Sequence, residues 1–216
     1  MYRMKASSDL EHWVVFFQSV APPLTKYRPS SPHMRVLAVD GGLRWAREWG
    51  YEVDMYLGDG DSYNGDLPVD HQVFPREKDY LDGEAALQFL LEHEVSRIDL
   101  INFFQGRWDM SFTHFQALSR FRNLANRVHI YTDHSEILFR DSKIEIYGKP
   151  GQKFSLVPLE PMNGVTLKGA RYELDCQDVR PGRGLTISNE YATESISLKF
   201  KDNPLYLLEI YGLEFL

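Results

Sequence analysis

Arg35-Val36-Leu37-Ala38-Val39-Asp40-Gly41-Gly42-Leu43-Arg44-Trp45-Ala46-Arg47-Glu48-Trp49-Gly50 is the stretch that decides the fold. The apolar, β-rich run Arg35–Val39 predicts a strand. Asp40-Gly41-Gly42 predicts a turn, and Leu43–Trp49 a short helix closed by Gly50. The same order recurs to either side. Trp13–Phe17, Asp54–Leu57, Gln72–Phe74, Ile98–Phe104 and Val128–Tyr131 predict strands. Gly83–His93 carries a wide apolar stripe (Ala85, Ala86, Leu87, Phe89, Leu90 and Leu91) and predicts a helix, with Asp82 placed to cap it. Ser111–Asn126 predicts a second amphipathic helix, and the Pro- and Ser-rich Ser19–His33 a loop. Strand-then-helix alternation predicts a parallel sheet with helices on both faces and right-handed crossovers.

Beyond Thr132 the pattern changes. Ile137–Phe139, Lys143–Tyr147, Phe154–Leu156, Val165–Leu167, Tyr172–Leu174, Leu185–Ser188, Ser195–Phe200 and Tyr206–Ile210 predict short strands. Turn residues separate them, as in Lys149-Pro150-Gly151 and Asp202-Asn203-Pro204. This half predicts an antiparallel sandwich or barrel. The chain therefore reads as α/β plus all-β, with an α/β domain over 1–132 and a β domain over 133–216.

The composition bounds the function. In 216 residues, 43% are hydrophobic and 25% charged, as in ordinary globular domains. No apolar run reaches the roughly 18–20 residues that span a bilayer. No apolar segment follows Met1-Tyr2-Arg3-Met4-Lys5 to make a signal peptide, and the single Cys176 cannot form an internal disulfide. A cytoplasmic protein is expected. The net charge of −7 argues against non-specific nucleic-acid binding.

Carboxylates cluster where strands end. Asp40 follows one strand, and Asp59 and Asp61 follow another in Gly58-Asp59-Gly60-Asp61-Ser62. Asp79, Asp82 and Glu84 open the long helix, and Asp109 follows Gly106-Arg107-Trp108. Ligands of open parallel sheets bind outside the carboxyl ends of the strands. Converging acids repel unless a cation compensates, and Mg²⁺ with a substrate phosphate is the natural choice. The chain lacks a Walker phosphate loop, a G-x-G-x-x-G fingerprint and a G-x-S-x-G elbow. The His residues show no zinc-ligand spacing, and His114 reads as a packing or surface residue of its helix. Cys176 reads as a buried or inert thiol.

These motifs resemble the thiamine pyrophosphokinase family, in order and spacing, from about residue 35 onward. Val39-Asp40-Gly41-Gly42 resembles A-D-G-G, and Gly58-Asp59-Gly60-Asp61-Ser62 resembles G-D-F-D-S. Pro75–Glu84 resembles P-x-E-K-D-x-T-D-x-E, and Gly106-Arg107-Trp108-Asp109 resembles G-R-x-D. Gly184–Glu190, with Ser188-Asn189, and Asp202-Asn203-Pro204-Leu205 are similar to the late motifs. The resemblance implies transfer of pyrophosphate from ATP to the hydroxyl of thiamine, giving thiamine diphosphate and AMP. It implies Mg²⁺ held by Asp40, Asp59, Asp61 and Asp82, with Asp59, Asp61, Asp82 and Arg107 catalytic. Lys78, Asp79 and Arg107 would hold nucleotide or phosphates, and Asp109, Ser188 and Asn189 would bind substrate. It also implies a homodimer with its site at the subunit interface. Gly60, Leu81 and Met110 depart from the family pattern at positions usually held by Phe, Thr, and His or Gln. Those departures keep open a pyrophosphokinase acting on another alcohol, such as a hydroxymethyl pterin, or a non-catalytic binding protein.

Overall fold

The computed structural model describes residues 11–19, 22–23, 27–29, 31–60, 66–68, 70–73, 75, 79–104 and 107–212. The chain divides into two compact units, Met1–Asp133 and His134–Leu216. Among the described residues, no helix is long and apolar enough to cross a membrane.

The first unit alternates strands and helices. Its strands are β1 (Glu11–Phe16), β2 (Met34–Val39), β3 (Met55–Gly58), β4 (His71–Val73), β5 (Val95–Ile101) and β6 (Val128–Tyr131). Its helices are α1 (Gly42–Glu48), α2 (Asp82–Leu91) and α3 (Trp108–Leu118), the last continuing as a 3₁₀ turn over Ser119–Leu124. The strands pair in parallel in the order β4-β3-β2-β1-β5-β6. The order reverses between β1 and β5, which makes their carboxyl ends the topological switch point. Alternating side chains of β1 and the residue that follows it reach helices on opposite faces. Phe16 meets Trp49 just past α1, while Trp13 meets Phe89 of α2 and Phe17 meets His114 of α3. Both faces are covered, so the central strands are apolar and buried throughout: Val14, Val15, Val36–Val39 and Leu100 are at most 2% exposed. Gly42 lets α1 press on β1, because a Cβ there would stand 2.0 Å from the Phe16 carbonyl oxygen.

One buried polar cluster ties β1, β5 and β6 together. Asp99, fully buried on β5, accepts from Tyr27 Oη at 2.6 Å and from Arg97 Nε at 2.8 Å. His12 Nε2 of β1 lies 2.7 Å from the same carboxylate. Arg97 also donates to Tyr131 Oη at 2.7 Å, and the Tyr27 and Tyr131 rings stack at 3.8 Å.

The second unit holds two antiparallel sheets. Its strands are β7 (Ser135–Arg140), β8 (Ile144–Tyr147), β9 (Lys153–Pro158), β10 (Met162–Lys168), β11 (Leu174–Val179), β12 (Asn189–Glu190), β13 (Ser195–Lys199) and β14 (Tyr206–Tyr211). One sheet runs β12-β9-β14-β7 and the other β11-β10-β13-β8. Phe154, Leu156 and Leu208 from the first, and Val165, Leu167 and Leu198 from the second, share one buried core, as in a sandwich.

Several expected boundaries moved for identifiable reasons. The run Ile98–Phe104 leaves the sheet at Asn102, whose φ of 63° ends the extended strand. Asp82 does not cap α2; Leu81 holds that position and Asp82 is the first helical residue. The Leu81 N–H instead donates to Glu84 Oε1 at 3.3 Å. Leu185–Ser188 is not a strand but a 3₁₀ turn over Gly184–Thr186 followed by a bend at Ser188, where φ is 56°. Cys176 is exposed rather than buried.

Candidate active site

The carboxyl ends of β1, β2 and β5 open into one cleft of about 380 Å³. Phe17, Gln18 and Ser19 line it after β1, Asp40 after β2, and Asn102 after β5. Asp82 and Gly83 enter from the start of α2, and Arg107, Met110 and His114 from α3 and its approach. The indole N–H of Trp45 on α1 donates to the Ser19 carbonyl at 3.3 Å, which anchors the β1 exit. Asp40 and Asn102 both adopt left-handed backbone, with φ of 54° and 63°. Asp and Asn tolerate that region better than other residues with a Cβ, and such strain gathers at functional sites.

Three of the predicted acids share an environment. The buried Tyr56 hydroxyl on β3 is pushed up to about 12, first by burial, then by Asp40, with Asp59 and Asp82 adding to the shift. Tyr56 thus reports a common negative field at the ends of β2 and β3 and the start of α2. The sequence reading missed it, because a tyrosine inside a strand carries no motif. Asp82, at the first position of α2, also sits where a helix N-terminus favours negative charge.

The remaining predicted residues divide. Asp61 and Lys78 lie outside the described residues. Asp79 is exposed. Arg107 and Asp109 pair with each other, at 2.6 Å and 3.1 Å, on the exposed start of α3. That pairing holds the Asp109 carboxyl below its ordinary range and raises the Arg107 guanidinium. Arg107 lines the cleft, whereas Asp109 does not line it. In the second unit Ser188 is exposed, with its N–H donating to Ser155 Oγ at 3.0 Å. Asn189 is buried, and its amide is engaged by backbone. Oδ1 accepts from Tyr172 N at 3.1 Å, and Nδ2 donates to the Tyr172 carbonyl at 2.8 Å.

His114, read from the sequence as a packing or surface residue of its helix, also lines this cleft. It is 7% exposed. Its Nδ1 lies 3.0 Å from the Phe103 carbonyl, so Nδ1 carries the proton and Nε2 is left as an acceptor. Burial holds the imidazole below its ordinary value, and Phe103, Glu84 and Asp82 do not reverse that. Gly83 makes room for the ring: a Cβ there would stand 2.3 Å from Nε2.

The chemistry of Asp40, Asp59 and Asp82 suits Mg²⁺, a hard cation that takes carboxylate oxygens. Among the described residues, no three His, Cys, Asp or Glu side chains form a metal-holding group by themselves.

The molecule is thus of the class that joins a doubly wound α/β unit, acidic at its strand ends, to an antiparallel sandwich. Residues 141–205 match the family model described as thiamin pyrophosphokinase, vitamin B1 binding domain. No curated protein sequence matches the chain. Thiamine pyrophosphokinase from Bacillus subtilis is similar in structure, with a TM-score of 0.78 and 21% identity over 93% of this chain and 99% of that one. The Geobacillus thermodenitrificans enzyme gives 0.75 and 23% over 96% of this chain and 100% of that one. The Candida albicans enzyme gives 0.71 and 14% over 94% of this chain and 89% of that one. The family read from the motifs is the one these comparisons return: residues of the sandwich match the thiamin pyrophosphokinase vitamin B1 binding domain model, and the chain has the fold of the solved thiamin pyrophosphokinases.

Proposed function

We propose that this chain is a thiamine pyrophosphokinase that transfers a pyrophosphoryl group from ATP to thiamine. The observation that carries the reading is the vitamin B1 binding domain over residues 141–205, in a chain whose other unit gathers acids at a switch-point cleft. The hydroxyl oxygen of thiamine bonds to the β-phosphorus of ATP. The bond from that phosphorus to the α,β-bridging oxygen breaks, AMP leaves, and the hydroxyl proton is released. Such a reaction needs in-line positioning and charge neutralisation more than covalent catalysis.

Asp40, Asp59, Asp61 and Asp82 would hold Mg²⁺. When bound, the ion offsets phosphate charge and the repulsion among these acids. Lys78, Asp79 and Arg107 bind nucleotide or phosphate, which requires Arg107 to exchange its Asp109 partner for a phosphate oxygen. Asp109 and Ser188 contact the acceptor. Asn189 acts there by shaping the Tyr172 backbone, since its amide is already engaged. A homodimer and a cytoplasmic location belong to the same reading. One feature favours a second reading, in which the acceptor is a different alcohol: Met110, 38% exposed, lines the cleft where the family pattern has a polar residue.

AMP release from ATP, measured with and without thiamine, tests the proposal. Thiamine-dependent AMP formation that requires Mg²⁺ is expected. AMP formation driven by another alcohol but not by saturating thiamine would replace the first reading with the second.

A further inference from the structure

Tyr56 stands behind the acids of the cleft rather than in the cleft. Its side chain is fully buried on β3 and packs with Ala38 of β2 and Leu43 of α1. That packing fixes where the ring ends. The hydroxyl is buried too, and it makes no hydrogen bond of ordinary geometry among the described residues. A buried hydroxyl left unpaired is costly, so this one calls for an explanation.

Gly58 marks what lies nearest. A Cβ added there would stand 2.5 Å from the Tyr56 hydroxyl oxygen and 3.0 Å from Asp40 Oδ1. The two oxygens thus flank one small space that Gly58 keeps open. Asp40 is also the largest charge acting on the hydroxyl. Its main chain is tied to β3, with the N–H donating to the Leu57 carbonyl at 2.8 Å, so only its side chain is left to turn. The neighbouring turn needs the same support. Residue 60, Phe in the family pattern, is a Gly with φ of 79°, and an added Cβ there would meet no described atom within 4 Å. The turn that carries Asp59 draws no packing from that position, and the Gly60 backbone N–H acts on the Tyr56 hydroxyl instead.

We propose that Tyr56 is a positioning residue of the acidic centre: its hydroxyl donates to the Asp40 carboxylate and holds that side chain in one orientation at the cleft wall. Tyr56 touches neither cation nor substrate. Asp40 lines the cleft, so a divalent cation reaches a carboxylate whose rotamer is already set. Partners of this kind are worth about ten- to a hundred-fold in metal affinity. The inference rests on the reading of Asp40 as a Mg²⁺ ligand in a pyrophosphokinase.

Urea unfolding tests the contact without any metal. Tyr56→Phe should lower the midpoint of the wild-type chain. Asp40→Gly suits the left-handed backbone at that position and removes the carboxylate. In that background Tyr56→Phe should leave the midpoint unchanged or raise it, because the hydroxyl then has no acceptor to lose. Mn²⁺ binding in the presence of a non-hydrolysable ATP analogue, read from the spin-resonance signal of free Mn²⁺, tests the consequence. Tyr56→Phe should weaken it by about ten-fold or more. The Mg²⁺ concentration for half-maximal AMP release should rise by a similar factor, while KM for thiamine moves far less. Equal midpoint shifts in the two backgrounds would overturn the contact. Wild-type Mn²⁺ affinity in the Tyr56→Phe chain would overturn the positioning role, even with a lowered midpoint. Thiamine-dependent AMP release alongside either result would leave the pyrophosphokinase reading standing. A wild-type chain that binds no Mn²⁺ and releases no AMP would overturn both.

Discussion

Asp99 within β5 and Asn102 just past its end stand three residues apart, both buried, and the fold treats them in opposite ways. Asp99 receives Tyr27, Arg97 and His12 within hydrogen-bond distance. Asn102 Nδ2 receives no partner among the described residues. The difference follows from position. Asp99 lies within the sheet, where a segment of chain covers it and an unpaired charge would be costly. Asn102 lies where the sheet ends, at the switch point, and its φ of 63° carries the backbone away from its neighbours. The polar group in the middle of β5 is fully engaged by the fold, and the one just past its end is not.

The comparison can be broken at several points. Asp99→Ala should cost about 1–3 kcal/mol, because it leaves the Tyr27 hydroxyl and the half-buried Arg97 without their shared acceptor. Urea unfolding measures this, and an unchanged midpoint would make the cluster dispensable. Asp59→Asn should do the reverse, lowering turnover by about a hundred-fold or more with little change in the urea midpoint. A loss of stability without a loss of turnover would move Asp59 to the structural side. Gly83→Ala should cost about 1–3 kcal/mol, as the added methyl meets His114 Nε2. A melting temperature equal to wild type would mean that α2 and α3 part freely.

Acid should separate Asp99 of β5 from His114 of α3 by pH. Burial alone would raise the Asp99 carboxyl, but His12, Arg97 and Tyr27 more than reverse it and hold it below the ordinary range. Its contribution is therefore present above about pH 4 and lost as the pH falls below that. His114 is held below its ordinary value by burial, so the unfolded chain takes up its proton first. Stability linked to His114 begins to fall below about pH 6.5. Replacing His114 by Phe should flatten the upper part of the acid limb, and Asp99→Asn the lower part. Urea midpoints across the range measure both, and a limb unchanged in either variant would remove that group from the account.

Much of this was legible in the chain. Strand-then-helix alternation through Tyr131 marked the parallel sheet, and β6 lies where Val128–Tyr131 placed it. Acids at strand ends pointed to the cleft that Asp40 and Asp82 line. Local pattern failed where one residue's backbone overruled it. The apolar run to Phe104 hid the turn at Asn102, and an apolar Leu81 took the cap position that Asp82 was expected to fill. Tyr56 went unread, and His114 read as a packing or surface residue, because nothing in their neighbours sets them apart. Tyr56 matters through three carboxylates distant in sequence, and His114 through Gly83 and Phe103.

The sequence by itself determined the order and type of the elements, and which residue types stand at the strand ends, because hydrophobic period and turn chemistry are local properties. The tertiary structure alone decided which buried polar groups are satisfied. A hydrogen-bond partner for Asp99 comes from residue 12 or 27, and the want of one at Asn102 and His114 is defined only once β1, β5, α2 and α3 are packed together.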